Sequence, residues 1–154
     1  MLIHNFLEDS ADRHPEKVAV IHDAERITYR QLNAQANSLP QHLSERGIAK
    51  GDRIALLFEN CVDYIIAYYA ILKAGGVTAP LNPGLKPDGL QYLLNDLEPS
   101  AIVTSYKSER LLKAVNLNAL DLKGIVIRSP KQRWDNTPFV ISTFEESLIA
   151  QGTT

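Results

Sequence analysis

The chain has 154 residues, 45% of them hydrophobic and 22% charged, a balance from which one domain can bury a core. Sixteen basic against eighteen acidic side chains leave a formal net charge of -2, so no basic field draws in nucleic acid or an anionic membrane surface. The longest apolar run, Tyr64 to Leu72, has nine residues where a membrane-spanning helix needs about 20, and a single cysteine, Cys61, excludes an internal disulfide and a cysteine-only metal site.

The first residues carry Glu8, Asp9 and Asp12 and no basic stretch ahead of an apolar one, which is not the pattern of a secretory signal. Asn-x-Ser/Thr sequons are also absent. Together with the cysteine usage this fits a reducing, cytoplasmic setting. Ile3, Phe6, Leu7 and Ala11 form an i, i+3, i+4 stripe that predicts an opening helix with one buried face, closed near Pro15. Val18 to Ile21 and Glu25 to Thr28, separated by the turn-like His22, Asp23 and Ala24, read as a short hairpin.

Thr28 and Gln31 have the spacing of a capping box, in which each side chain satisfies a backbone donor of the other residue. A helix is therefore expected from Tyr29, with Leu32, Ala36, Leu39 and Leu43 inward and Gly47 as its left-handed stop. Pro40 falls inside that helix, where a proline removes a donor and costs about 3 kcal/mol unless the helix bends.

From Arg53 the pattern alternates. Strands are expected at Arg53 to Phe58, Val77 to Pro80, Ala101 to Thr104 and Gly124 to Ile127, and helices at Val62 to Lys73, Pro87 to Leu97 and Ser108 to Val115. Strands that are apolar throughout, joined by helices, predict an α/β fold with a mostly parallel sheet covered on both faces. Arg128 to Pro138 has no periodicity and reads as an exposed connection. Thr143 to Glu146 is a second capping box opening a last helix that ends near Gly152.

The common chemical constellations are missing. No Gly-x-Gly-x-x-Gly follows a strand and no Gly-x-x-x-x-Gly-Lys-Ser/Thr is present, so neither phosphate cradle can be assigned. Gly75 and Gly76 read as a helix stop. His4, His14, His22 and His42 fall in four separate elements without metal-ligand spacing, so no metal ligand is assigned. Cys61 lies where parallel sheets place ligands, yet no histidine is placed beside it to act as base. Tyr64 and Tyr68 are i, i+4 neighbours suited to packing or an interface. Lys107, Arg110 and Lys113, three apart on one expected helix, read as a solvated face that could meet an anion.

Three stretches in order resemble the N-terminal part of the AMP-forming acyl-activating enzymes, the superfamily of acyl-CoA synthetases, adenylation domains and luciferases. They are Ile27-Thr28-Tyr29-Arg30-Gln31-Leu32, then Ile71-Leu72-Lys73-Ala74-Gly75-Gly76-Val77-Thr78-Ala79-Pro80-Leu81-Asn82-Pro83, then Leu90 to Asp96 leading to Ile102-Val103-Thr104. The entry from Phe6 through His14-Pro15-Glu16-Lys17-Val18-Ala19-Val20 is similar too. The likeness is in register over roughly residues 2–105 and loose beyond. Pro40 and Gly89 depart from it, each inside an expected helix.

The resemblance implies that 1–154 is the N-terminal subdomain of an AMP-dependent ligase, with a small antiparallel element beside the parallel sheet. The parent reaction it implies joins ATP and a carboxylate into an acyl-adenylate, then passes the acyl group to CoA or a carrier-protein phosphopantetheine thiol, with ATP and Mg as the parent's cofactors. The ending Leu81-Asn82-Pro83 leans toward acyl-CoA ligases.

The family's phosphate loop, aromatic-x-x-Thr-Glu element, ribose-binding aspartate and catalytic lysine have no counterpart here. Gly152-Thr153-Thr154 is not taken as the loop, because Glu145 to Ala150 reads as helix where a strand should precede it. The expectation is a fragment or truncated ligase, inactive alone, binding no cofactor by itself, with the remainder of the ligase as partner and self-association through uncovered faces. No catalytic residue is assigned. The alternatives are a non-catalytic interaction module and one half of a split adenylating enzyme.

Overall fold

A computed structural model describes residues 1–149; the expected helix end near Gly152 and the string Gly152-Thr153-Thr154 lie outside the described residues. Helix α1 spans Ile3–Arg13, but of its four-residue stripe only Leu7 and Ala11 are buried. Ile3 is 54% and Phe6 59% exposed, because the neighbours of α1 cover the flank that carries Leu7 and Ala11 and leave Phe6 at the rim of a hollow. Strands β1 (Val18–His22) and β2 (Glu25–Thr28) form the expected antiparallel pair, turning at Asp23 with a positive φ of 53°, a conformation that short Asp side chains tolerate.

The capping box is present: Gln31 N donates to Thr28 Oγ1 at 3.2 Å, and Thr28 N to Gln31 Oε1 at 2.9 Å. The expected long helix is instead two, α2 (Tyr29–Ala36) and α3 (Leu39–Glu45). Pro40 lies in the first turn of α3, where a backbone donor would have no intrahelical partner, so the chain restarts the helix rather than bending it. Leu32, Ala36, Leu39 and Leu43 are nevertheless all buried, and Gly47 takes a positive φ of 84°.

The main sheet has five parallel strands in the order β4-β3-β5-β6-β7: β3 Arg53–Leu57, β4 Val77–Leu81, β5 Ala101–Ser105, β6 Gly124–Arg128 and β7 Val140–Thr143. Helices α4 (Val62–Lys73), α5 (Pro87–Leu97), α6 (Glu109–Lys113) and α7 (Phe144–Ile149) complete it. Helix α5 runs unbroken through Gly89, and the expected helix over Ser108 to Val115 is a 3-10 turn (Tyr106–Ser108) followed by the short α6. Strand β7 has no counterpart in the sequence reading.

Strand alternation divides the core in two. Ile54, Leu56, Val103 and Val126 pack with Leu32, Leu39, Leu43, Ile66 and Phe144 on one face; Ala55, Leu57, Ile102, Ile125 and Ile127 pack with Leu90, Leu94 and Leu112 on the other. Truncating one of these fully buried leucines or isoleucines to alanine costs about 2–5 kcal/mol. On the edge strand β4, Val77 N donates to Asp52 O at 2.8 Å toward β3, so alternation turns Thr78 and Pro80 to the outer edge. A proline is tolerated there because no partner needs its missing N–H.

Candidate functional site

Consecutive parallel strands β3 and β4 lie to one side of the point where the chain crosses back to β5, so the carboxyl ends of β3 and β5 flank the switch point of the sheet. Ligands of open α/β sheets bind in that crevice. Here it holds Glu59, following β3, and Ser105 and Lys107 at the end of β5. Ser105 Oγ donates to Glu59 Oε2 at 3.1 Å and Lys107 Nζ lies 3.7 Å from Glu59 Oε1. Thr104 Oγ1 donates to Leu57 O at 2.6 Å just beneath, closing the two strand ends together.

A second polar group follows along the same edge. Arg128, ending β6, reaches Asp63 Oδ1 in the first turn of α4 at 3.1 Å and Glu145 Oε1 in the first turn of α7 at 3.0 Å. Ser129 has a φ of 52°, and both its N–H and its hydroxyl donate to the same Glu145 oxygen, at 2.8 and 2.7 Å. Burial raises the Asp63 carboxyl above its ordinary value, with Glu25, Glu145 and Glu59 adding to it and Arg128 opposing.

Cys61 is the N-cap of α4. Burial pushes its thiol up, with Glu59 and Asp63 as further causes and backbone donors pulling the other way, which is the opposite of an activated nucleophile. His42 Nε2 sits 2.9 Å from Ser142 Oγ, tying α3 to β7, and burial lowers its basicity. His4 and His14, expected in separate elements, belong to α1 and its C-cap. Among the described residues no three His, Cys, Asp or Glu side chains converge as a metal site.

Lys107, Arg110 and Lys113 do not share a helix: Lys107 lies in the 3-10 turn and the other two in α6. Lys107 is engaged by Glu59, and Lys113 Nζ by the Arg133 carbonyl and the Trp134 ring, 4.8 Å from its centroid. The aromatic contact on α4 is Tyr68 with Tyr69, edge to face at 5.6 Å, rather than Tyr64 with Tyr68.

These residues do not fit a nucleoside triphosphate. On the carboxyl edge Lys107 and Arg128 are paired with carboxylates of this chain, Lys131 Nζ is stacked on the Tyr106 ring at 4.1 Å, and a phosphate at the switch point would meet Glu59. Gly75 and Gly76 cradle nothing: Gly75 ends α4 with a φ of 80°, and a Cβ on Gly76 would come within 3.1 Å of Ile54 and Ile71 side chains, so both serve packing. A cavity of about 570 Å³ opens on the opposite edge, between Arg53, Glu98, Ser100 and Asp121. Parallel sheets do not place their chemistry there.

A family model described as AMP-binding enzyme matches residues 7–146. Bacitracin synthase 1 of Bacillus licheniformis is 33% identical over 120 residues, covering 78% of this chain and 2% of the relative. Surfactin synthase subunit 2 of Bacillus subtilis (strain 168) is 38% identical over 96 residues, covering 62% and 3%. The crystal structure of an anthranilate CoA ligase in complex with anthranoyl-AMP superposes with a TM-score of 0.83 at 21% identity, over all of this chain and 28% of that one. The chain thus spans a few hundredths of these curated relatives and under a third of that solved ligase. Strand order, the capping box at Thr28 and the helix stop at Gly75 all fall within the matched residues, and the chain belongs to the AMP-binding enzyme family.

Proposed function

We propose that this chain is the N-terminal scaffold of an AMP-forming carboxylate-activating ligase and that its 154 residues alone form no acyl-adenylate. The parent reaction is ATP and a carboxylate giving an acyl-adenylate and pyrophosphate, followed by transfer to the thiol of CoA or of a carrier-protein phosphopantetheine arm. The observation that supports the second half is the switch-point crevice: the carboxylate of Glu59 stands in it, 3.7 Å from Lys107 Nζ and accepting from Ser105 Oγ, so a phosphate there meets like charge. Adenylation needs unengaged donors on the phosphates and a counter-charge for the charge developing on them.

The chain's role is then to hold a sheet edge on which the remainder of the ligase builds the nucleotide site. A free-standing interaction module fits less well, because α4 would need a polar outer face and has none. The test is ATP–pyrophosphate exchange by the purified chain over a panel of carboxylates. No exchange above the protein-free background is expected, and sustained exchange with any carboxylate would sink the proposal.

A further inference from the structure

Helix α4 has no face made for water. Of its twelve residues only Asp63 and Lys73 are charged, and both are engaged, by Arg128 and Glu8. Val62, Ile66, Ala67, Ala70 and Ile71 are buried in the core. Tyr64, Ile65, Tyr68 and Tyr69 occupy the other flank, half-buried, and line a hollow of about 290 Å³ with no charged residue in its wall. Ile65 and Tyr69 also border a second hollow of about 280 Å³ that reaches Phe6 on α1. One apolar strip therefore runs from Phe6 across Ile65 and Tyr69 to Tyr64 and Tyr68. A helix apolar all round belongs inside a protein, and a contiguous apolar strip that still meets solvent, openly at Phe6 and partly along α4, marks an interface.

We infer that this strip is the seat of the remainder of the ligase, which covers it with an apolar surface of its own. The inference rests on the ligase reading above. Its occupant follows from proportion: a solved ligase that superposes on the whole of this chain has more than two thirds of its length outside the match, since the match takes 28% of it. Position agrees. Helix α4 starts at Cys61 on the carboxyl edge of the sheet, and Tyr64 lies in its first turn. A body seated on the strip is thereby brought beside the crevice of Glu59, Ser105 and Lys107.

The test is hydroxyl-radical footprinting of the protein as isolated from its natural source, alongside its intact mass and against the 154-residue chain expressed alone. Tyr92 of α5, 72% exposed and away from the strip, is the internal reference. A longer product, or a complex with a separate ligase chain, in which Phe6, Tyr64 and Tyr68 oxidise about fivefold or more slowly while Tyr92 is unchanged, is the expected result. Equal oxidation of the strip in such a product overturns the seat and leaves the ligase reading standing. A 17.1 kDa product free of any ligase chain overturns both, and so does one whose strip is protected by a second copy of itself.

Discussion

Lys73 Nζ lies 2.7 Å from Glu8 Oε1, with the lysine side chain 7% and the glutamate 40% exposed. Lys73 is the lysine of the Leu-Lys-Ala-Gly stretch, so its role in this segment is to fasten α1 to α4. The asymmetry of burial makes the two deletions unequal. Glu8→Ala strands a buried ammonium and is expected to cost about 2–3 kcal/mol, whereas Lys73→Met leaves a half-solvated carboxylate and costs about 1 kcal/mol. Equal losses in urea unfolding would contradict this.

The same pair sets a pH dependence. The Lys73 hydrogen bond, then that of Asn5, holds the Glu8 carboxyl below its ordinary value. A carboxyl depressed in the folded state stabilises fully above its unfolded value, roughly 4.3, and loses that contribution as pH falls through the folded value. The melting temperature of the wild type should therefore fall more steeply below about pH 4.3 than that of Glu8→Gln. Parallel curves would show that the ion pair carries no linked proton.

Glu109 is fully buried, and its carboxylate accepts from Lys131 N at 2.6 Å, Gln132 N at 3.1 Å and Trp134 Nε1 at 2.8 Å. One side chain thus anchors the aperiodic connection. Glu109→Ala orphans all three donors and is expected to cost about 3 kcal/mol or more. Trp134 is the only tryptophan, so its emission should shift to the red in the variant while the far-UV spectrum stays folded. An unshifted emission maximum would mean the connection is held by something else.

Pro40→Ala should change stability by less than about 1 kcal/mol, because a first-turn proline sacrifices no helical hydrogen bond. A gain near 3 kcal/mol would mean the proline strains a continuous helix after all.

Cys61 should react with iodoacetamide at neutral pH several-fold more slowly than free cysteine, since burial holds the thiol protonated. A rate above that of free cysteine would reopen a nucleophilic role.

Local signals account for most of what the sequence made legible. The bounds of α4 and α5 coincide with their readings because Gly75 and Gly76 stop the first, Pro87 opens the second, and the apolar residues of α5 carry it through Gly89. Strand β7 has no clear sequence signal because it is four residues long, half-exposed at the sheet edge, and runs directly into α7. The stripe of α1 is buried only at Leu7 and Ala11, since periodicity says which residues share a face but not how wide the partner is. The crevice was illegible for a different reason. Glu59 and Ser105 are 46 residues apart, and only the strand order brings them together. Glu109 lies inside the expected helix over Ser108 to Val115, and nothing near it in sequence announces the three donors it meets.

The proline on β4 limits how copies of this protein can join. Addition of a strand beyond β4 would meet the ring of Pro80 where an amide should donate, so that margin is blunt. A fibril built by stacking sheets margin to margin needs two receptive margins on every molecule. With the β4 margin closed, copies of the folded protein cannot extend this sheet through β4 in an unbroken row.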